Sequence, residues 1–209
     1  GMARVADITE LLALRQAYRE GLIEQRAAER RTAAATTQRS RLDALRGIGA
    51  LVSPEQQQAA DAALATAQAE RELAAGRVAA ASQRLDYAWG DTLAAAARAE
   101  AGSLLDGLAT HRAQLLLVSP PASAPWPDTA THAEYLGGSP PVTSRARLLG
   151  AAPVAAGGSG SWWAVTDNPV LRVGNLLELR LADGPVTRGG RVPGAALVWH
   201  GGQQWFYLK

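Results

Sequence analysis

The segment GIGALVSPEQ, residues 47–56, decides how the first half of this 209-residue chain folds. Gly47 and Gly49 can end one helix, and Ser53-Pro54-Glu55-Gln56 starts another. Ser53 stands at the N-cap, Pro54 at the first helical position, where an N–H would find no partner, and Gln56 at the position that closes a capping box. Upstream, residues 7–46 contain no Pro and one Gly, enough for an unbroken helix of roughly 60 Å. Its narrow, imperfect apolar stripe runs through Ile8, Leu11, Leu12, Ala13, Leu14, Tyr18, Leu22 and Ile23, then the alanines 27, 28 and 33–35, then Leu42, Leu45 and Ile48. Downstream, a second helix of about 52 Å runs from Pro54 to about Trp89, with Leu64, Ala67, Leu73, Val78, Ala81, Leu85 and Ala88 inward. Two helices of matched length around a short turn predict an antiparallel coiled-coil hairpin over residues 7–89, its tip at 47–53. Gly21 and Gly76 each cost about 1 kcal/mol in a helix interior and are expected to mark local bends.

Composition agrees with a helical first half. Of 45 alanines, 31 fall within residues 1–110, while the chain has one Phe, one Met and no Cys. Ala is the best helix former, but side chains that end at Cβ make a bulky core there unexpected. The lack of Cys excludes disulfides, thiolate zinc sites, iron–sulfur clusters and thiol nucleophiles, though not an oxidising compartment. Twenty of the 21 bases are Arg, balanced by 19 acids, and the signs alternate rather than cluster, so nucleic acid is not an expected partner. There is neither a run of 18 apolar residues nor a signal peptide, so this stretch is not expected to span a membrane itself. Gly1-Met2 reads as a remnant ahead of an internal start, and the abrupt end at Lys209 as a cut.

Beyond the hairpin, residues 90–141 read as a linker region. It comprises an Ala-rich helix over Asp91–Thr110, a buried strand in AQLLLVS (113–119), and Pro-rich turn material over 120–141. Residues 142–209 change character. VTSRARLLGA, GSWWAVTD, LLELRLADG and the strand–turn–strand pattern of RVPGAALVWHGGQQWFYLK predict five short strands without crossover helices, and so a small antiparallel β-barrel at the C-terminus. The expected fold class is therefore mixed α and β: long hairpin, helix and strand linker, terminal barrel.

No residue constellation for catalysis emerges. His111, His132 and His200 lack a second ligand at metal-binding spacing, and Gly157-Gly158-Ser159-Gly160 lacks the Lys and Ser/Thr of a phosphate loop. Ser53 sits in no nucleophile elbow and is explained by its cap. No enzyme, cofactor or metal site is expected. The Arg and Glu of the hairpin read mostly as a solvated face. The tip is different, because Leu51 and Val52 lie between helix-breaking glycines and a cap with little core to enclose them, and Arg41 and Arg46 can supply hydrogen bonds at a contact rim.

Taken together, the hairpin, the region beginning at YAWGDTLA, the strand AQLLLVSPP and the ending GRVPGAALVWHGGQQWFYLK resemble the periplasmic adaptor subunits, or membrane fusion proteins, of resistance–nodulation–division efflux systems. Members of that family carry a V-P-x-x-A-[LV]-V-W-x-x-G-x-x-W-[VF]-Y segment near the end of the barrel. Val192, Pro193, Ala196, Leu197, Val198, Trp199, Gly202, Trp205, Phe206 and Tyr207 fill it here. The resemblance implies a non-enzymatic adaptor of the periplasm, associated with the inner membrane in the full-length protein. Its barrel side would face an inner-membrane transporter, its tip an outer-membrane channel, and copies would associate in the assembled pump. It further implies a tip contact through an Arg, a Leu four residues on and a Ser seven beyond, for which Arg41, Leu45 and Ser53 are the nearest positions, the last gap here being eight. A lipoyl-like half-motif is implied ahead of Asp7 and a membrane-proximal domain after Lys209. The alternative reading of the residues is a ligand- or carbohydrate-binding accessory module using the Trp-rich β region, which exposed coplanar Trp rings would favour and buried ones would not.

Overall fold

The computed structural model describes residues 1–49, 51–100, 102–119, 132–137, 142–157, 160–181, 198–200 and 203–205. Helix α1 spans Thr9–Gly47 and helix α2 Pro54–Arg98. The restart between them is the one the sequence predicts. The Gln56 backbone N–H donates to Ser53 Oγ at 3.1 Å, and the Ser53 N–H donates to Gln56 Oε1 at 3.2 Å, with Pro54 following the cap. Ser53→Ala is expected to lower stability by about 1 kcal/mol, read as a lower urea midpoint in circular dichroism.

The two helices lie side by side in antiparallel sense. Arg46 Nη1 donates to Gln57 Oε1 at 3.2 Å, and ion pairs join Arg39 to Asp61 at 2.8 Å, Arg31 to Glu70 at 3.3 Å and Arg77 to Glu24 at 2.6 Å, descending one helix as they climb the other. These exposed pairs are each worth about 0–1 kcal/mol, so the seam beneath them carries the association. On α1 it passes through Leu11, Leu14, Tyr18, Gly21, Gln25, Ala28, Thr32 and Ala35, alternating steps of three and four. On α2, Ala60, Ala67, Ala74 and Ala81 recur every seventh residue, all buried, interleaved with Leu64, Val78 and Leu85.

Small residues bring the backbones close. A Cβ built on Gly21 would stand 3.0 Å from Val78 Cγ2, and Thr32 Oγ1 donates to the Ala67 carbonyl across the seam at 3.0 Å. Gly21 is therefore a point of close approach rather than a bend, while a Cβ at Gly76 meets nothing within 4 Å. Gly76→Ala is expected to raise stability by about 1 kcal/mol in a chemical melt, and Gly21→Ala to fall short of that gain because Val78 must move. Several stripe assignments are corrected: Ile23 and Leu73, expected inward, are 67% and 66% exposed, because a seam of Ala and Gly rotates the larger side chains out of it, and Ala13, Ala27, Ala33 and Ala34 are exposed too.

At the base the chain reverses. Gly90 has φ 73° and ψ 171°, a break inside α2, and residues after it return along the pair. Arg98 Nη1 lies 2.8 Å from Asp86 Oδ1, although a straight helix would separate these positions by about 18 Å. Arg19 donates to the Ala99 and Glu100 carbonyls, holding the turned-back end against α1. The break frees the Trp89 carbonyl, which accepts from Trp163 Nε1 at 3.0 Å. The helix expected over Asp91–Thr110 is in fact two, because α2 ends at Arg98 and α3 spans Ser103–Ala109.

The strands are β1 (Met2–Val5), β2 (Gln114–Ser119), β3 (His132–Gly137), β4 (Val142–Ala151), β5 (Trp162–Thr166), β6 (Leu176–Leu181), β7 (Val198–His200) and β8 (Gln203–Trp205), with the short helix α4 (Val154–Gly157) before β5. All pairings are antiparallel, in the order β1-β2-β5-β4-β3-β6, and β6 also pairs β1 through Met2 opposite Glu178 and Arg4 opposite Leu176. The sheet is thus not a unit of residues 142–209. It takes β1 from before the helices and β2 from between them and the later strands, whereas β7 and β8 pair only with each other among the described residues. Residues 132–137, expected within turn material, supply β3.

Strand alternation sorts the apolar residues into two layers. Leu116 and Val118 of β2 join Ala3, Val5, Ala146, Ala164, Leu171 and Leu177 in one cluster. Leu115 and Leu117 face the other way, onto Leu11, Leu85, Trp89, Leu93, Leu105 and Leu108 of the helices and Trp163 and Val165 of β5. The first half does build a bulky core, contrary to the compositional expectation, because its large side chains are concentrated at the base.

Candidate functional site

The turn joining α1 to α2 gathers the residues expected to meet a partner. Arg41, Leu45 and Ile48 follow at steps of four and three, so they share one face of the last turns of α1. Arg41 is exposed and, among the described residues, its side chain makes no ion pair or hydrogen bond. Leu45 is partly exposed, and Ile48, which the sequence stripe placed inward, is 80% exposed. Its N–H donates to the Leu45 carbonyl, and that of Gly49, at φ 78°, to Arg46, which ends the helix. Leu51 is fully exposed, and Val52 and Ser53 are half-buried. Leu51 does not fold back to seal the turn.

The remaining tip polar groups are used locally. Arg46 donates to Gln57, whose Nε2 donates to Asp43 Oδ1 at 3.4 Å, and Ser53 Oγ is occupied by the cap. Ser53 and Arg46 thus hold the shape of the turn, while Arg41, Leu45, Ile48 and Leu51 offer free surface. The arrangement presents exposed apolar side chains with a cation on the same face. At the tip, Ile48 is the residue that sequence reasoning misplaced. Gly47 and Gly49 on either side of it were the available signal, since a helix ending at Gly47 leaves nothing to cover it.

Of the C-terminal motif, Val192, Pro193, Ala196, Leu197, Gly202, Phe206 and Tyr207 lie outside the described residues. Trp199 pairs in register with Gln204, and Trp205 with Val198, so the two Trp occupy alternate positions of the ladder. The expectation that one of their rings is buried also lies outside the described residues. Trp163 is 3% exposed and stacks on Trp89, with ring centroids 5.4 Å apart, so this pair forms no exposed coplanar platform for a carbohydrate.

At the start of α1, Asp7 Oδ1 accepts from the Thr9 hydroxyl at 2.6 Å and the Thr9 N–H at 2.9 Å. These bonds hold its carboxyl below the usual carboxylate range, the hydroxyl bond first and the backbone bond second. Among the described residues, no group of three His, Asp or Glu could hold a metal ion, and no helix is long and apolar enough to cross a membrane. No family model matches this chain, and no curated protein matches it.

Proposed function

We propose that this chain is the helical-hairpin and β-barrel portion of a periplasmic adaptor that bridges an inner-membrane efflux transporter and an outer-membrane channel. The observation that carries the reading is the exposed Ile48–Leu51 knob, held by a complete capping box at the far end of a helix pair. The 39 residues of α1 give that pair a length of about 58 Å. An arm of this length that presents its most exposed apolar side chains, Ile48 and Leu51, at its tip suits reach and docking. The tip meets the channel, the strand-built end faces the transporter, and copies stand side by side in the assembled pump. The apolar side chains of Ile23 and Leu73, outside the seam, supply contact points on the arm's flanks.

The test is reversible cross-linking of cell envelopes that carry the tagged full-length protein, followed by purification under denaturing conditions. Recovery of both an outer-membrane channel and an inner-membrane transporter is expected. Recovery of neither from a protein found in the cytosolic fraction overturns the reading.

A further inference from the structure

A cleft of about 720 Å³ opens at the base, where β1 meets the start of α1 and the part of α2 just before Gly90. That volume falls in the range of small-molecule sites, about 300–1,000 Å³. Trp89 and Trp163 line it with their stacked pair, and beside them stand Tyr87 and Val173, which are 76% and 57% exposed. Large apolar surface left open next to a buried aromatic pair, in a concavity, is the feature to be explained.

The charges at the cleft are unequal in what they have left to bind. Arg4 and Arg84 both line it, both are exposed, and among the described residues neither side chain has an ion pair or hydrogen bond. Of the two acids there, Asp7 spends one oxygen on Thr9 as described, which leaves Glu10 as the other carboxylate beside two guanidinium groups with no ion pair. The indole N–H of Trp89, buried at the wall, has no acceptor among the described residues. Guanidinium groups favour oxyanions such as carboxylates, phosphates and sulfonates, which they engage through paired N–H donors.

We infer that this cleft is a binding site for a small amphipathic ligand with a planar apolar body and one anionic group. The body lies against Tyr87, Val173 and the Trp pair, and the anion is held by Arg4 and Arg84. The site is separate from the tip and does not depend on the adaptor reading.

Anilinonaphthalene sulfonate combines a planar apolar body with an anion and serves as the probe, with N-phenylnaphthylamine as its uncharged counterpart. Fluorescence titration of the chain is expected to show saturable one-to-one binding of the sulfonate. Arg84→Glu and Arg4→Glu are each expected to weaken it about tenfold or more, with N-phenylnaphthylamine binding little changed, and Tyr87→Ser to weaken both probes. Ile48→Asp with Leu51→Asp, remote from the cleft, is expected to alter neither. Non-saturating binding, or sulfonate affinity unchanged in both charge reversals, overturns the inference, as does equal loss in the tip variant. Arg84→Gln, which removes the charge without reversing it, gives the same reading if either reversal disturbs the circular dichroism spectrum.

Discussion

Replacing Trp163 with alanine is expected to lower stability by about 3–5 kcal/mol, among the larger costs of any single substitution in the described residues. Three losses coincide there. The ring is almost fully buried between the helical base and β2, it stacks on Trp89, and its Nε1 satisfies the Trp89 carbonyl that the break at Gly90 leaves open. Trp163→Phe keeps most of the buried area but deletes the donor, and is expected to cost less. Urea unfolding followed by circular dichroism checks both, and equal midpoints for wild type and Trp163→Ala would remove the joint between helices and sheet from this account.

The second large effect concerns binding. Ile48→Asp combined with Leu51→Asp is expected to abolish detectable association with the outer-membrane channel while leaving helical content and melting temperature nearly unchanged. Both side chains are exposed, so their loss removes no core, whereas apolar groups enclosed by a partner can each be worth 2 kcal/mol or more, about 30-fold in affinity. Surface plasmon resonance against the purified channel, paired with a thermal melt, reads the two quantities separately. Binding retained by the variant contradicts the docking role, as does binding lost together with the fold.

Much of the helical architecture was legible because its signals are local. Ser53, Pro54 and Gln56 specify a helix start through bonds within four residues, and the expected end of the second helix at about Trp89 coincides with the break at Gly90, although the reversal there was not read. The seam was harder to read. Hydrophobicity ranks Ile23 and Leu73 above Ala60 or Gly21, but two backbones in close approach select side chains by size, and the larger ones point outward. Strand β1 was not legible at all. MARV is four residues long, and its partners Leu116–Ser119 and Leu176–Glu178 are supplied by segments more than a hundred positions away. Strand β3 was hidden likewise, since the prolines flanking 132–137 dominate a reading of that window while its pairing with β4 and β6 is a tertiary matter. At the tip, the exposed Leu51 was anticipated from its place between the helix-breaking glycines and the Ser53 cap. The base cleft was missed because its Arg4, Arg84, Tyr87 and Trp163 are adjacent only after the chain has folded.

The most direct measurement of the central claim places a photoreactive benzoylphenylalanine at position 51 of the full-length protein and, separately, at position 73 on the flank of the arm. After irradiation of intact cells, the account predicts that position 51 yields a covalent adduct with an outer-membrane channel protein and that position 73 does not. No channel adduct from position 51, with the protein present at its normal level in the cell envelope, would contradict it.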